Sequence, residues 1–265
     1  MTDDAPAGLA TTAKPGNWRD LKPRILAGIA LAAVAFLLLA LGPQPFAVLV
    51  LAVTLAMSWE WGRMVRNTSL DMPFAVQAIA TTIAVMLSVM GMPALGLAVV
   101  VIGTIVVFAL GFGTESGLSA QGVLYVGLPA VMLLWLRSDG ALGFWAVLLV
   151  VACVAATDTA AFFTGRQVGG PKLWPAVSPN KTWSGLIGGV TASALAAMAL
   201  AQGVPGASSG RLALIGIVLG LVAQAGDLAE SALKRLFSVK DTSSLIPGHG
   251  GVMDRMDGVV AAAVT

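Results

Sequence analysis

Charge is scarce in this chain. Of its 265 residues, 11% are Asp, Glu, Lys or Arg, while 57% are hydrophobic. A soluble domain carries about 25% charge. So little charge cannot cover a water-facing surface, which excludes an ordinary soluble domain and assigns an integral membrane protein. Cysteine is limited to Cys153 and histidine to His249. No intrachain disulfide can form, and neither residue has the companions a zinc centre needs. Cys153 lies in an apolar run and reads as a small packing residue. The net charge is +2. The basic residues are spread over separate loops, so no basic face for nucleic acid is formed. No Walker pattern occurs. A cleavable signal peptide is not expected. The first apolar run follows a polar stretch with Lys14, Arg19, Asp20, Lys22 and Arg24, and has no small-residue cleavage site.

What is present is hydrocarbon in blocks of membrane-crossing length. A spanning helix needs about 20 mostly apolar residues. Spans are predicted at 25–41, 46–62, 73–90, 94–111, 121–136, 141–161, 184–201 and 211–229. Turn-rich breaks separate them, such as Gly42-Pro43-Gln44-Pro45 and Gly91-Met92-Pro93. A ninth segment opens near Asp257, and the eight residues after it reach only about 12 Å. The expected fold is all-α: a polytopic membrane protein of about eight full transmembrane helices plus a short ninth segment. Residues 1–23 are expected to form a polar, disordered N-terminal segment, and 24–265 a single transmembrane catalytic domain. The seven Trp, mostly near segment ends, suit interfacial belts. Glu60, between Trp59 and Trp61, is read as interface anchoring, and Glu115 as a loop residue.

The loops set an orientation. With the N-terminus cytoplasmic, 13 of the 15 Lys and Arg fall on the inner side, leaving Arg137 and Arg211 outside. Asp158 and Asp227 then close two spans that both travel inward. Asp254 and Asp257 open the last segment from the same side. Three elements remote in sequence deliver carboxylates to one depth, the cytoplasmic edge of the bilayer, together with the basic loops 165–183 and 234–255.

The densest polar stretch is 227–257, where nine charged residues and the only histidine fall within 31 positions. Asp227, Glu230, Ser231 and Lys234 share one helix face by their i, i+3, i+4, i+7 spacing. They read either as a structural ion-pair face or as a cation site, because a carboxylate in an apolar helix needs a partner. Asp254 and Asp257 read either as helix-start residues favoured by the dipole or as further ligands. The combination suits a hard cation such as Mg²⁺, which takes a few carboxylate oxygens, water and substrate phosphates. His249, flanked by Gly248, Gly250 and Gly251, is either a hydrogen-bonded structural residue or a phosphate contact with glycine amides beside it. A second cluster runs from Asp158 through Gly165 and Arg166 to Lys172, then Ser178-Pro179-Asn180-Lys181-Thr182-Trp183. It reads as positive-inside loop charge or as a phosphate-binding loop.

The stretch from Ser231 to Asp257, Ser-x-Leu-Lys-Arg-x4-Lys-Asp-x-Ser-x2-Ile-Pro-x-His-Gly-Gly-Val-x-Asp-Arg-Met-Asp, resembles the signature of phosphatidate cytidylyltransferases (CDP-diacylglycerol synthases) over all 27 residues. Gly226-Asp227-Leu-x-Glu230, Asp158–Arg166 and Ser178–Trp183 resemble the family too, and the likeness covers about residues 24–265. The chain departs at Asn180, where the family usually has Lys, and at Ser184, where it usually has Glu. The resemblance implies an enzyme that transfers a cytidylyl group from CTP to phosphatidic acid, giving CDP-diacylglycerol and pyrophosphate, with Mg²⁺ and room for a second cation. It implies metal ligation by Asp227 and Asp254, with Asp158 or Asp257 assisting. Lys234, Arg235, Lys240, His249 and Arg255 would neutralise and orient phosphates. Arg166, Lys172, Ser178, Lys181 and Thr182 would line the second wall, with Ser231, Gly250 and Gly251 as further phosphate contacts. The expected location is a bacterial inner membrane with the site at the cytoplasmic face. A homodimer is left open by the resemblance. Two rivals remain at this stage. One is a CTP-dependent lipid-alcohol kinase; the other is a transporter, against which no midplane charge or inverted repeat is found.

Overall fold

The computed structural model describes residues 21–68, 70–110, 116–204, 206–246 and 250–265. Residues 1–20, Glu115 and His249 lie outside the described residues. In chain order the helices are α1 (Leu21–Leu41), α2 (Pro43–Arg66), α3 (Met72–Val89), α4 (Pro93–Leu110), α5 (Ser116–Ser138), α6 (Gly143–Gln167), α7 (Trp183–Leu200), α8 (Ser209–Leu236) and α9 (Met253–Ala263). Among the described residues seven helices, α2 to α8, are long and apolar enough to cross a membrane. In α1 the described apolar stretch is Gly28–Leu41. The chain is an all-α polytopic membrane protein.

Local sequence explains the breaks. Asp71 caps α3 by accepting from the Phe74 N–H at 2.9 Å. Thr182 caps α7 by accepting from the Gly185 N–H at 3.1 Å. Pro sits in the first turn of both α2 and α3, where its missing N–H costs no bond. Hydroxyls inside spans bond back along their own helix: Ser58 donates to the Thr54 carbonyl, and Thr157 to that of Cys153. Outward faces stay apolar, with Leu37, Ile102, Ile105, Phe108 and Ile187 exposed, as a hydrocarbon solvent requires.

Helices α2 to α5 pack on one another, and α6 to α9 form a second group against them. One core joins the groups through Phe46, Val50, Leu134, Val147, Val154, Ala223 and Val259. Cys153 is fully buried in that core, its Sγ 3.6 Å from the Ser193 carbonyl, a packing position.

Three features differ from the sequence reading. First, the site helices run beyond the expected span ends at 161 and 229. Helix α6 continues nine residues past Asp158 and α8 nine past Asp227. Hydropathy falls at those residues, but the backbone hydrogen-bond ladder needs no apolar side chain to continue. Asp158 and Asp227 therefore project from within helices, about 14 Å short of their ends. Second, the loop 168–182 contains an antiparallel hairpin, β1 (Lys172–Trp174) paired with β2 (Ser178–Thr182). Positive φ at Gly169 and Gly170 lets the chain turn from α6 into it. The last helix also begins earlier than expected, at Met253, so Asp254 lies in its first turn.

Candidate active site

The C-terminal halves of α6 and α8, the hairpin and the starts of α7 and α9 meet at one end of the bundle. Between them lies a cavity of about 830 Å³. Five carboxylates (Asp158, Asp227, Asp241, Asp254, Asp257) and five cations (Arg166, Lys172, Lys181, Lys234, Arg255) line it, with Asn180, Thr182 and Gln224. The structure thus brings the 158–182 and 227–257 clusters into one space.

Backbone closeness positions the acids. A Cβ built on Gly226 would lie 2.6 Å from the Ala261 Cβ and 2.8 Å from the Asp257 carbonyl oxygen. Only glycine allows α8 and α9 to touch there, which places Asp227 beside Asp257. Asp158, Asp227 and Asp257 are near enough to repel one another electrostatically. Lys181 offsets part of this, with Nζ 2.6 Å from Asp227 Oδ2. Gln224, one turn before Asp227, donates to Asp158 Oδ1 at 3.4 Å, and Ser231 donates to Asp227 Oδ1 at 3.4 Å.

Asp254 is held more tightly. Its Oδ1 accepts from Lys234 Nζ at 2.7 Å. Its Oδ2 accepts from the Thr242 N–H, the Thr242 hydroxyl and the Gly251 N–H at 2.9–3.0 Å. Burial pushes the Asp254 carboxyl up. The Lys234 ammonium and the Gly251 and Thr242 amides outweigh burial and hold it below the usual carboxylate range. Lys234 also donates to Glu230 Oε1 at 3.0 Å, and the Tyr125 hydroxyl donates to Glu230 Oε2 at 3.0 Å. Tyr125, Glu230, Lys234 and Asp254 form one connected chain from α5 to α9.

The remaining expected residues fall around this centre. Arg235 donates from Nε to the Val177 carbonyl at 3.4 Å, tying α8 to the hairpin turn. Lys240 is exposed and, like Ser178, does not line the cavity. Gly250 has a φ of 82° and Gly251 is buried against Thr242 and Glu60. Ser184 donates to the Gly169 carbonyl, fastening the turn before β1 to the start of α7.

Sequence reasoning missed Gln224, Tyr125, Asp241 as a lining residue, and Glu60. Gln224 carried a signal, its three-residue spacing from Asp227 on one helix face. Tyr125 is the only tyrosine and lies inside an apolar span. Glu60 was read as an interface anchor. The structure instead buries it completely, with Oε1 accepting from the Val252 N–H at 2.8 Å and Oε2 from the Met253 N–H at 2.6 Å. A carboxylate in a crossing helix had found a partner, but 190 residues away.

The donor set suits a hard cation. Among the described residues no three His, Cys, Asp or Glu side chains form a ready-made metal cage. Mg²⁺ does not require one, since it keeps waters and binds through one or two carboxylates plus substrate phosphate. Mutually repelling carboxylates interleaved with cations on both sides of the cavity fit that chemistry. At Asp254 a cation binding Oδ1 would share that oxygen with Lys234 or displace it.

The description of the matching family model is "Cytidylyltransferase family", and it covers residues 22–265. The chain belongs to this family. Curated relatives agree across nearly their whole length. A phosphatidate cytidylyltransferase of Brucella suis is 38% identical over 247 residues, 92% of this chain and 91% of the relative. A phosphatidate cytidylyltransferase of Bacillus subtilis is 31% identical over 252 residues, 90% of this chain and 93% of the relative. A cytidylyltransferase must hold a triphosphate and an acceptor together. The cavity's paired acids and bases are of the types such chemistry uses.

Proposed function

We propose that the chain transfers the cytidylyl group of CTP to phosphatidic acid, releasing pyrophosphate and forming CDP-diacylglycerol in the membrane. The observation that carries this reading is the single cavity in which the Asp227–Lys181 and Asp254–Lys234 pairs meet. Family membership and the names of the relatives support it. The phosphate oxygen of the lipid attacks the α-phosphorus of CTP. The bond from that phosphorus to the bridging oxygen of the β-phosphate breaks, and pyrophosphate leaves with the electron pair. A phosphate monoester is already anionic at neutral pH, so no strong general base is needed.

Each residue has a role in this reading. Lys181, Arg166 and Lys172 draw in the triphosphate from the α6–α7 side, and Arg255 and Lys234 from the α8–α9 side. Asp227 and Asp254 would hold Mg²⁺, with Asp158 and Asp257 assisting. The cation, when bound, supplies charge neutralisation for the triphosphate and the departing pyrophosphate. The cavity lies at the cytoplasmic face of a bacterial inner membrane, where lipid head group and soluble nucleotide coexist. The positive-inside distribution of Lys and Arg supports that face.

Pyrophosphate release from CTP in detergent or lipid nanodiscs tests the reading. It should require phosphatidic acid and vanish on chelation of Mg²⁺. Lys181→Ala should raise the KM for CTP roughly tenfold or more, the scale of one charge-assisted hydrogen bond. A KM at the wild-type value would return the 165–183 loop to simple positive-inside charge.

A further inference from the structure

Glu60 has no place in the reaction just described, yet it is a fully buried carboxylate with both oxygens engaged. It is 0% exposed. Three donors from the far end of the chain converge on it: the Ser243 hydroxyl at 2.5 Å and the Val252 N–H at 2.8 Å on Oε1, and the Met253 N–H at 2.6 Å on Oε2. The first N–H groups of a helix have no partner within it, and the dipole there favours negative charge. Glu60 supplies both to α9 from α2.

The division of labour with Asp254 is specific. Asp254 takes the Gly251 and Thr242 amides, and Glu60 takes those of Val252 and Met253. A Cβ on Gly251 would lie 2.1 Å from Thr242 Oγ1 and 2.6 Å from Glu60 Oε1, so there is no space for a side chain where the two carboxylates grip the turn. The platform itself is fixed. Trp61 donates to the Leu118 carbonyl at 3.0 Å, and its ring packs 5.1 Å from that of Tyr125. Tyr125 in turn starts the chain through Glu230 and Lys234 to Asp254.

We propose that Glu60 is a positioning residue of the active site: it holds Ser243, Val252 and Met253 from α2 and so sets where α9 presents Asp254 and Asp257 to the nucleotide. The proposal rests on the cytidylyltransferase reading for its kinetic consequence, but its structural half does not. Glutamine at 60 would keep an acceptor on one side only, and its NH₂ would face a backbone donor. Misplacement of reacting groups by about 1 Å can cost 100-fold.

The test compares wild type, Glu60→Gln and Ser243→Ala as full-length protein in nanodiscs. Hydrogen exchange by mass spectrometry follows the amides of 250–256, and pyrophosphate release is titrated with CTP and with phosphatidic acid separately. Glu60→Gln should speed exchange in 250–256 without loosening α3 or α4. It should lower kcat/KM for CTP about 100-fold, with a raised KM for CTP and an unchanged KM for the lipid. Ser243→Ala removes one donor and keeps the carboxylate, so it should give a smaller shift in the same direction. If Glu60→Gln does not fold, Ser243→Ala decides alone. The proposal is overturned if exchange at 250–256 stays at the wild-type rate. It is equally overturned if both KM values and kcat per folded molecule are unchanged. A wild-type chain that releases no pyrophosphate would refute the catalytic reading, while the exchange result would still decide the clamp.

Discussion

Asp227→Asn is expected to lower CTP turnover by about 10²–10³-fold or more while the helical bundle stays folded, because a preorganised charge facing the reacting phosphates is lost. Asp227 sits where Asp158, Asp257 and Lys181 converge. Asparagine fills the same volume but leaves Lys181 without its 2.6 Å partner and removes an anionic ligand. The structural cost is small. The two side chains are 28% and 17% exposed, so the pair is partly hydrated and worth on the order of 1 kcal/mol. Pyrophosphate release and the elution profile in detergent, measured on the same preparation, separate the two effects. Turnover near the wild-type rate would remove Asp227 from the metal-binding role.

Asp254→Asn is expected to lose turnover and stability together. The Asp254 side chain is 9% exposed, and both its oxygens are engaged. An amide nitrogen in place of either oxygen would face a donor, either the Lys234 ammonium or the Thr242 and Gly251 groups. Removing one member of a buried charged network costs about 3–5 kcal/mol. The thermal midpoint in detergent should fall clearly for this variant and hardly at all for Asp227→Asn. The pH dependence has a definite sign. The Asp254 carboxyl is held below the usual range, so its stabilising contribution is complete above its unfolded value. That contribution is lost as pH falls through the lower, folded value. Wild type should therefore lose its stability margin over Asp254→Asn on acidification.

The membrane fold was legible because hydrocarbon blocks of spanning length leave few alternatives. Helix ends were not. Past Asp158 and Asp227 the composition turns polar while the helix continues, so the expected span ends at 161 and 229 fall short of the observed ends at Gln167 and Leu236. The hairpin from Lys172 to Thr182 left no period-2 trace, since its strands have three and five residues. The meeting of the two polar clusters followed from orientation counted over charged loops. What no local pattern could reveal was the partnership of Glu60 with Val252 and Met253, or of Tyr125 with Glu230. Such contacts depend on how α2 and α5 pack against α8 and α9. A buried carboxylate flanked by tryptophans had two local explanations, and only the packing chose between them.

The most direct test of the central claim follows the label of CTP through the reaction. The purified chain, phosphatidic acid and Mg²⁺ are incubated with CTP labelled at the α-phosphorus or, separately, at the γ-phosphorus. The account predicts that α-label enters the lipid phase as CDP-diacylglycerol and that γ-label appears in pyrophosphate. Transfer of γ-label to a lipid alcohol, with CDP as the by-product, or a lipid phase that takes up neither label, would contradict it.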